Sequence, residues 1–152
     1  MTIELDKFDR AIIDALGIDA RMTLAELSSR VGLSKSPCQT RIKRLESCGV
    51  IRGYTLLVDH AKLGMNHIAF TQVTLGDTRS NALAAFNEAV AKISAVEQCH
   101  MTASAFDYLL KVRTRDMEEY RMVLGESISS LPHVIQTSTF VVMECVKDTG
   151  IA

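Results

Sequence analysis

The sequence predicts an α+β protein of two domains, an N-terminal winged helix-turn-helix and a C-terminal ferredoxin-like βαββαβ domain. Helical periodicity fills the first 48 residues, and a glycine turn joins two of the helices there. Beyond that point β-branched segments alternate with amphipathic ones. The 152 residues suffice for two small domains. We place the domains at 1–52 and 67–152, with a strand and hinge linker at 53–66.

Apolar residues recur at helical spacing near the amino terminus. They predict a first helix over 6–16, with Gly17 as its stop. A capping box predicts a second helix over 24–30, because the side chains of Thr23 and Glu26 can each accept the other's backbone N–H. The repeat of the first helix consists of Phe8, Ile12, Ile13 and Leu16.

A tight turn separates the second helix from a third. Gly32 can adopt a positive φ there, and Ser34 can cap the third helix, which runs to about Cys48 and ends at Gly49. Pro37 lies in its first turn, where a missing N–H removes no intrahelical hydrogen bond. Two helices joined by a short turn that contains glycine form the helix-turn-helix pattern.

The third helix carries an apolar stripe and a polar face. At about 100° per residue, Ile42 and Leu45 fall near Cys38 and form the stripe. The opposite face holds cations and short hydrogen-bonding side chains but no acid, since Glu46 lies off it. Such a face can place cations on phosphates and polar groups on base edges in a major groove. The predicted DNA-contacting residues are Ser34, Lys35, Ser36, Gln39, Thr40, Arg41, Lys43 and Arg44.

Positive charge is concentrated around this helix. The whole chain has a net charge of −1, but the window 30–52 holds six basic residues against Glu46 alone, a net charge of +5. Counterion release acts only where phosphates are contacted, so the local charge is what bears on nucleic-acid binding. A solvated helix face is the alternative interpretation of the charge run by itself. The charge run and the geometry of the polar face together predict double-stranded DNA as a partner.

The second half of the chain has the element order of a ferredoxin-like plait. In chain order we predict a strand at 50–58, a polar turn at 59–66, a strand at 68–75, a helix at 81–93, strands at 96–102 and 106–114, a helix at 116–130 and a strand at 134–146. The order β-α-β-β-α-β after the polar turn is that of the split βαβ plait. One face of its sheet stays open, and a partner subunit is the usual cover, which predicts a homo-oligomer.

The sequence contains little that indicates enzyme chemistry. It has no G-x-S-x-G, no H-E-x-x-H and no glycine-rich phosphate loop. Cys99-His100 lacks the two further ligands of a structural zinc, so no metal or cofactor is predicted.

The four cysteines form no C-x-x-C pair, which favours free thiols in a reducing cytoplasm. Neither a signal peptide nor a membrane span is predicted. The histidines are scattered, at His60, His67, His100 and His133.

Two features of the second half each admit two interpretations. Asp107 is either a strand-end acid that faces solvent or a carboxylate that pairs with a ligand's ammonium group. The hydroxyls before Phe140 are either edge-strand groups or the lining of a small pocket. In the second interpretation, N–H groups of the connection 103–105 bind a ligand carboxylate. The hydroxyls belong to Thr137, Ser138 and Thr139, and the predicted effector-binding residues are Met101, Ala103, Ser104, Ala105, Asp107, Thr139 and Phe140.

Several runs of residues preserve the order and spacing of a known family. They are Leu5-Asp6 with Asp9-Arg10-Ala11-Ile12-Ile13, Leu24-Ala25-Glu26-Leu27 with Val31-Gly32-Leu33-Ser34, Arg41-Ile42-Lys43-Arg44-Leu45-Glu46, Gly49-Val50-Ile51-Arg52-Gly53-Tyr54, Phe106-Asp107-Tyr108-Leu109-Leu110-Lys111-Val112 and Thr139-Phe140-Val141-Val142-Met143-Glu144. Over about residues 5–147 the chain therefore resembles the Lrp/AsnC family, the leucine-responsive and asparagine-responsive regulators of bacteria and archaea.

The resemblance implies an N-terminal domain that binds DNA and a C-terminal ligand-sensing domain that dimerises through its sheet. It also implies further assembly of dimers, often to octamers, with amino-acid effectors bound between dimers near the loop that joins the second and third strands. Ser104-Ala105 stands where the family usually has Gly-Asp. The missing acid argues against a strongly cationic effector and favours a neutral one such as proline or leucine. The runs around Asp107 and Thr139 are similar to the subgroup that activates proline catabolism.

The predicted function is an amino-acid-responsive DNA-binding regulator of amino-acid metabolism genes, not an enzyme, located at the nucleoid in the cytoplasm. A second interpretation is a small-molecule-binding metabolic sensor module whose helix-turn-helix makes protein contacts. The third, an enzyme on a ferredoxin-like scaffold, requires a catalytic constellation that the sequence does not display.

Overall fold

A computed structural model of the chain describes residues 3–147. They divide into two compact units, one ending at Leu56 and one beginning at Leu57. The first unit contains the three predicted helices in the predicted order, which confirms the helix-turn-helix. They are α1 (Lys7–Ile18), α2 (Leu24–Val31) and α3 (Lys35–Ser47).

The start and end of α1 differ from the prediction. Asp6 is the N-cap, and its side chain accepts from the N–H of Asp9 while the Asp9 side chain accepts from the N–H of Asp6. The predicted stop at Gly17 is wrong, because the helix continues to Ile18. Gly17 does not adopt the positive φ of a glycine cap, and Asp19 ends the helix instead.

The turn between α2 and α3 follows the prediction in most respects. The Glu26 carboxylate accepts the Thr23 N–H at 2.8 Å, which confirms the capping box. Gly32 has φ 71° and ends α2, and Gly49 has φ 75° just after α3. Ser34 occupies the N-cap of α3, but its side chain makes no capping hydrogen bond, so that part of the prediction is wrong.

The core of the first unit lies between the three helices. The predicted stripe of α3 is confirmed, because Cys38 and Leu45 are fully buried and Ile42 packs beside them. The predicted strand over 50–58 is wrong for the single chain, where this segment pairs with no strand. An apolar, β-branched run supplies side chains for a strand, but a strand also requires a neighbour that accepts its hydrogen bonds.

The second unit opens with a short 3₁₀ helix, His60–Leu63, and continues as a βαββαβ plait. Its elements are β1 (His67–Leu75), α4 (Ser80–Val90), β2 (Val96–Met101), β3 (Tyr108–Thr114), α5 (Met117–Met122), which continues as a π-helix (Val123–Ile128), and β4 (Val134–Val141). The sheet has the order β2-β3-β1-β4, and each neighbouring pair is antiparallel. This confirms the predicted ferredoxin-like topology.

One face of the sheet packs against α4 and α5. Phe86 of α4 and Tyr108 of β3 lie at the centre of this core, with ring centroids 4.3 Å apart. Every second residue of β1 from Ala69 to Leu75 is buried on this side. No helix among the described residues of this unit packs against the other face, where Phe70 and Phe140 are paired across β1 and β4.

Three boundaries in this unit correct the prediction. The helix expected to reach Ile93 ends at Val90. The helix expected over 116–130 changes to a π-helix after Met122. The last strand, predicted to reach residue 146, ends at Val141. The Val142 N–H still donates to the Ile68 carbonyl at 2.9 Å, but β1 itself begins only one residue earlier, at His67, so little of it is left to pair with.

Candidate nucleic-acid interface and effector site

The polar face of α3 is exposed along most of its length. Within residues 3–147, no hydrogen bond or ion pair engages the side chains of Lys35, Gln39 or Lys43. The Thr40 hydroxyl donates back to the Ser36 carbonyl at 3.1 Å. The exposed members of the predicted set are Ser34, Lys35, Ser36, Gln39, Thr40, Lys43 and Arg44, and Arg41 is half-buried.

Two of these residues, Arg41 and Arg44, form ion pairs with acids of α1 and its cap. Nη1 of Arg41 lies 2.6 Å from Asp6 Oδ2 and 2.9 Å from Asp9 Oδ1. Nη2 of Arg44 lies 2.5 Å from Asp9 Oδ2. The Asp9 side chain is completely buried, so each of its oxygens meets a different guanidinium out of contact with water.

The electrostatics keep both carboxyls ionised. Burial alone raises the pKa of Asp9, but the Asp6 N–H and the guanidiniums of Arg41 and Arg44 bring it below its ordinary value. The hydrogen bond from the Asp9 N–H, followed by the Arg41 guanidinium, lowers the pKa of Asp6 to about 2. Two acids and two arginines therefore form a group with no net charge at neutral pH.

The sequence reasoning missed Asp6 and Asp9, although a signal for Asp9 was present. On a helical wheel Asp9 falls within about 60° of Ile12, on the apolar side of the helix. A buried acid requires a cationic partner, and the nearby basic helix supplies two. Phe8, placed in the predicted apolar repeat, is instead half-buried, and the Arg41 guanidinium lies 5.4 Å from its ring centroid.

The predicted effector residues of the second unit begin at the loop between β2 and β3. The Thr102 N–H donates to the Asp107 carbonyl at 2.9 Å and closes the loop. Asp107 precedes β3 and is not inside the strand, which corrects the predicted boundary. It is half-buried, and its Oδ2 accepts from Leu75 N at 2.7 Å. The exposed residues at this end are Met101, Ala103, Ser104 and Ala105.

The other two predicted effector residues lie on β4. The hydroxyl of Thr139 is 2.6 Å from that of Tyr120, which is itself 2.9 Å from the Thr71 hydroxyl on the helical side of the sheet. Phe140 points to the opposite face and is 54 % exposed. Since β2 and β4 are the two edges of the sheet, one chain brings Met101 and Asp107 together but not Phe140.

Among residues 3–147, no three His, Cys, Asp or Glu side chains gather in a way that could hold a metal ion. In the same range, no helix has both the length and the apolar character needed to cross a membrane.

An exposed basic helix in a helix-turn-helix, followed by a ferredoxin-like unit, defines a transcription regulator with a DNA-binding domain and a second, sensory domain. The AsnC-type helix-turn-helix domain matches residues 5–46, and the Lrp/AsnC ligand binding domain matches residues 68–152. The chain belongs to the Lrp/AsnC family of transcription regulators. The resemblance seen in the sequence is thereby confirmed.

Characterised relatives match nearly the whole chain. A proline dehydrogenase transcriptional activator of Rhizobium radiobacter is 61% identical over 150 residues, 99% of this chain and 96% of that protein. The leucine-responsive regulatory protein of Escherichia coli K12 is 44% identical over 147 residues, 97% of this chain and 90% of that protein. A Neisseria meningitidis transcriptional regulator, solved in complex with L-methionine, superposes with a TM-score of 0.89 at 31% identity, covering 95% of this chain and 94% of that one. These relatives are regulators of transcription, not enzymes.

Proposed function

We propose that the chain is an amino-acid-responsive regulator of amino-acid metabolism genes that acts at the nucleoid and reads operator DNA with α3. The observation that carries this proposal is the exposed polar face of α3, on which Lys35, Gln39 and Lys43 have no partner among the described residues. The names of the relatives, a proline dehydrogenase activator and a leucine-responsive regulator, support the link to amino-acid metabolism.

The residues of α3 divide into two roles in this proposal. Gln39 can make a bidentate contact to adenine in the major groove, with Ser36 and Thr40 as shorter hydrogen-bonding groups. Lys35 and Lys43 contact phosphates, which gives affinity without sequence preference. Arg41 and Arg44 are held by their ion pairs with Asp6 and Asp9, and their remaining N–H donors are available to contact DNA.

The protein in this proposal is a homodimer that assembles further, to an octamer. The helix-free face of the sheet carries Phe70 and Phe140, and burying such a face against a second copy removes apolar surface from water. The hinge between the DNA-binding and sensory domains lies within 53–66, where the helix-turn-helix ends and the first strand of the plait has not begun.

The effector is a free neutral amino acid such as proline or leucine. Asp107 pairs with its ammonium group, and N–H groups of the 103–105 loop bind its carboxylate. Three strand spacings separate the edges of the sheet, roughly 14 Å, so a site that also includes Thr139 and Phe140 needs a second copy of the chain. Ala105 adds no acid to this site, which favours a neutral side chain.

Fluorescence anisotropy with labelled duplex DNA over a series of salt concentrations tests the proposal. A DNA-reading protein loses affinity steeply as salt rises, because each phosphate contact releases counterions. The same titration with single amino acids added should shift the binding curve for one neutral effector. Absence of salt-dependent DNA binding would favour a sensor module whose helix-turn-helix contacts protein.

A further inference from the structure

We propose that Asp6 and Asp9 are positioning residues that set the DNA sequence preference of α3 by holding Arg41 and Arg44 in one orientation. Neither acid belongs to α3, and neither is itself expected to contact a base. The proposal deepens the proposed function and depends on the reading of DNA by α3.

The ion pairs hold each guanidinium through a single nitrogen. Arg44 reaches Asp9 through Nη2 alone, and 49% of its side chain remains exposed. Arg41 uses Nη1 for both acids, and 28% of its side chain remains exposed. The donors of a guanidinium form a rigid planar fork, so holding one nitrogen restricts the directions in which the other donors can point.

The arginines face a notch on the proposed reading side of the unit, outside its apolar core. The notch has a volume of about 480 Å³ and is lined by Asp6, Ser36, Pro37, Thr40, Arg41 and Arg44. The core is formed by other residues, Ile12, Ala15, Leu27, Cys38 and Leu45. Ion pairs placed beside this notch orient the two arginines toward the surface that DNA would contact.

Positioning and simple electrostatics predict opposite results for operator DNA. Removing a negative charge beside α3 should strengthen binding to every duplex if only net charge matters. If Asp9 orients the arginines, its neutralisation should weaken binding to the preferred sequence and strengthen binding to other sequences. The ratio of the two affinities is therefore the decisive quantity, and a uniform loss of folded protein does not change it.

The test compares Asp9→Asn, Asp6→Asn and the control Asp14→Asn in the full-length protein. Asp14 is exposed on α1 and has no partner among the described residues, so its variant changes the charge equally. The probes are a duplex that the wild-type protein enriches from a random-sequence pool and the same duplex with its base order shuffled. We expect Asp9→Asn to lower the affinity ratio about tenfold, the scale of one lost base contact. Asp6→Asn should lower it less, and Asp14→Asn should leave it unchanged.

The outcomes distinguish a failure of the positioning role from a failure of the proposed reading of DNA by α3. An unchanged ratio in both Asp9→Asn and Asp6→Asn, with wild-type discrimination intact, overturns the positioning role alone. A wild-type protein that enriches no sequence overturns the reading of DNA by α3 as well. If Asp9→Asn does not fold, Asp6→Asn decides, because asparagine caps a helix as well as aspartate does and α1 is retained.

Discussion

Oδ2 of Asp107 accepts a hydrogen bond of 2.7 Å from the backbone N–H of Leu75, and this bond fastens the β2–β3 loop to β1. The N–H of Asp107 donates in turn to the Val73 carbonyl at 3.0 Å. One carboxylate oxygen is thus occupied by the fold, while Oδ1 has no hydrogen bond within residues 3–147. The side chain can hold the loop and pair with a ligand's ammonium group at the same time.

The first prediction concerns this carboxylate. Asp107→Asn keeps an oxygen that accepts the Leu75 N–H, so the fold should persist, but it removes the charge that pairs with an ammonium group. We expect the affinity for the neutral amino-acid effector to fall by about 1.5–3 kcal/mol, the worth of a hydrogen bond to a charged group. Isothermal calorimetry with a panel of amino acids measures this. Undiminished binding by Asp107→Asn would place the effector elsewhere.

The second prediction separates the two cations at the end of α3. Lys43→Ala should weaken binding to all duplexes and reduce the slope of log affinity against log salt by about one, with no change in thermal stability. Arg44→Ala should also destabilise the protein, by about 1–3 kcal/mol, because buried Asp9 loses one partner. Anisotropy titrations and thermal unfolding of both variants measure these effects. Wild-type affinity in Lys43→Ala at every salt concentration would contradict the phosphate contact.

The third prediction concerns base recognition. Gln39→Ala should relax the preference at one or two positions of the selected site, at a cost of about 1–3 kcal/mol if the contact is bidentate. Its salt dependence should match that of the wild type, because no phosphate contact is lost. Affinity measurements on the selected duplex and its single-base variants test both statements. Ser47→Ala, which also alters α3, is the control and should keep the original preference.

The fourth prediction concerns assembly. A homodimer should form through the helix-free face of the sheet and bind a pseudo-palindromic site with half-sites about 34 Å apart, or a multiple of that distance. Phe140→Asp places a charge on this face and should shift the molar mass measured by light scattering toward the monomer. A monomeric wild-type protein at micromolar concentration would refute the prediction.

The fifth prediction concerns acid stability. The pKa of Asp6 is about 2 in the folded protein, below the usual value of about 3.9 in an unfolded chain, and that of Asp9 is also lowered. The unfolded state therefore binds more protons, and the free energy of unfolding decreases as the pH falls from about 4 toward 2. Denaturant unfolding at several pH values should show a shallower decrease for Asp9→Asn. Identical pH profiles would mean that the ion pairs do not stabilise the fold.

Features that depend on neighbouring residues were predictable from the sequence. The capping box of Thr23 and Glu26 lies within four residues, and the turn at Gly32 needs only a residue that tolerates positive φ. The apolar stripe of α3 follows from its own periodicity. The order of strands and helices was sufficient to predict the plait, because few topologies satisfy that order.

Features that depend on distant partners were not predictable. The ion pairs of Asp9 join residues more than thirty positions apart, and no local pattern specifies that pairing. The segment 50–58 has the composition of a strand, but in one chain it has no neighbour to pair with. For a similar reason, the sequence did not show that the predicted effector residues lie apart in one chain. Phe140 and Met101 are on opposite edge strands, and only the order of strands in the sheet reveals this separation. Whether those residues bind an effector remains a prediction.

The neutral group formed by Asp6, Asp9, Arg41 and Arg44 has a consequence for the kinetics of DNA binding. A duplex that comes within about a Debye length, about 8 Å at physiological salt, is attracted by lysines such as Lys43 and hardly at all by the two arginines, whose charge the acids neutralise. The arginines act only at contact, through the direction of their hydrogen bonds. Different sequences should therefore be distinguished by how long the protein stays on them, and much less by how often it arrives.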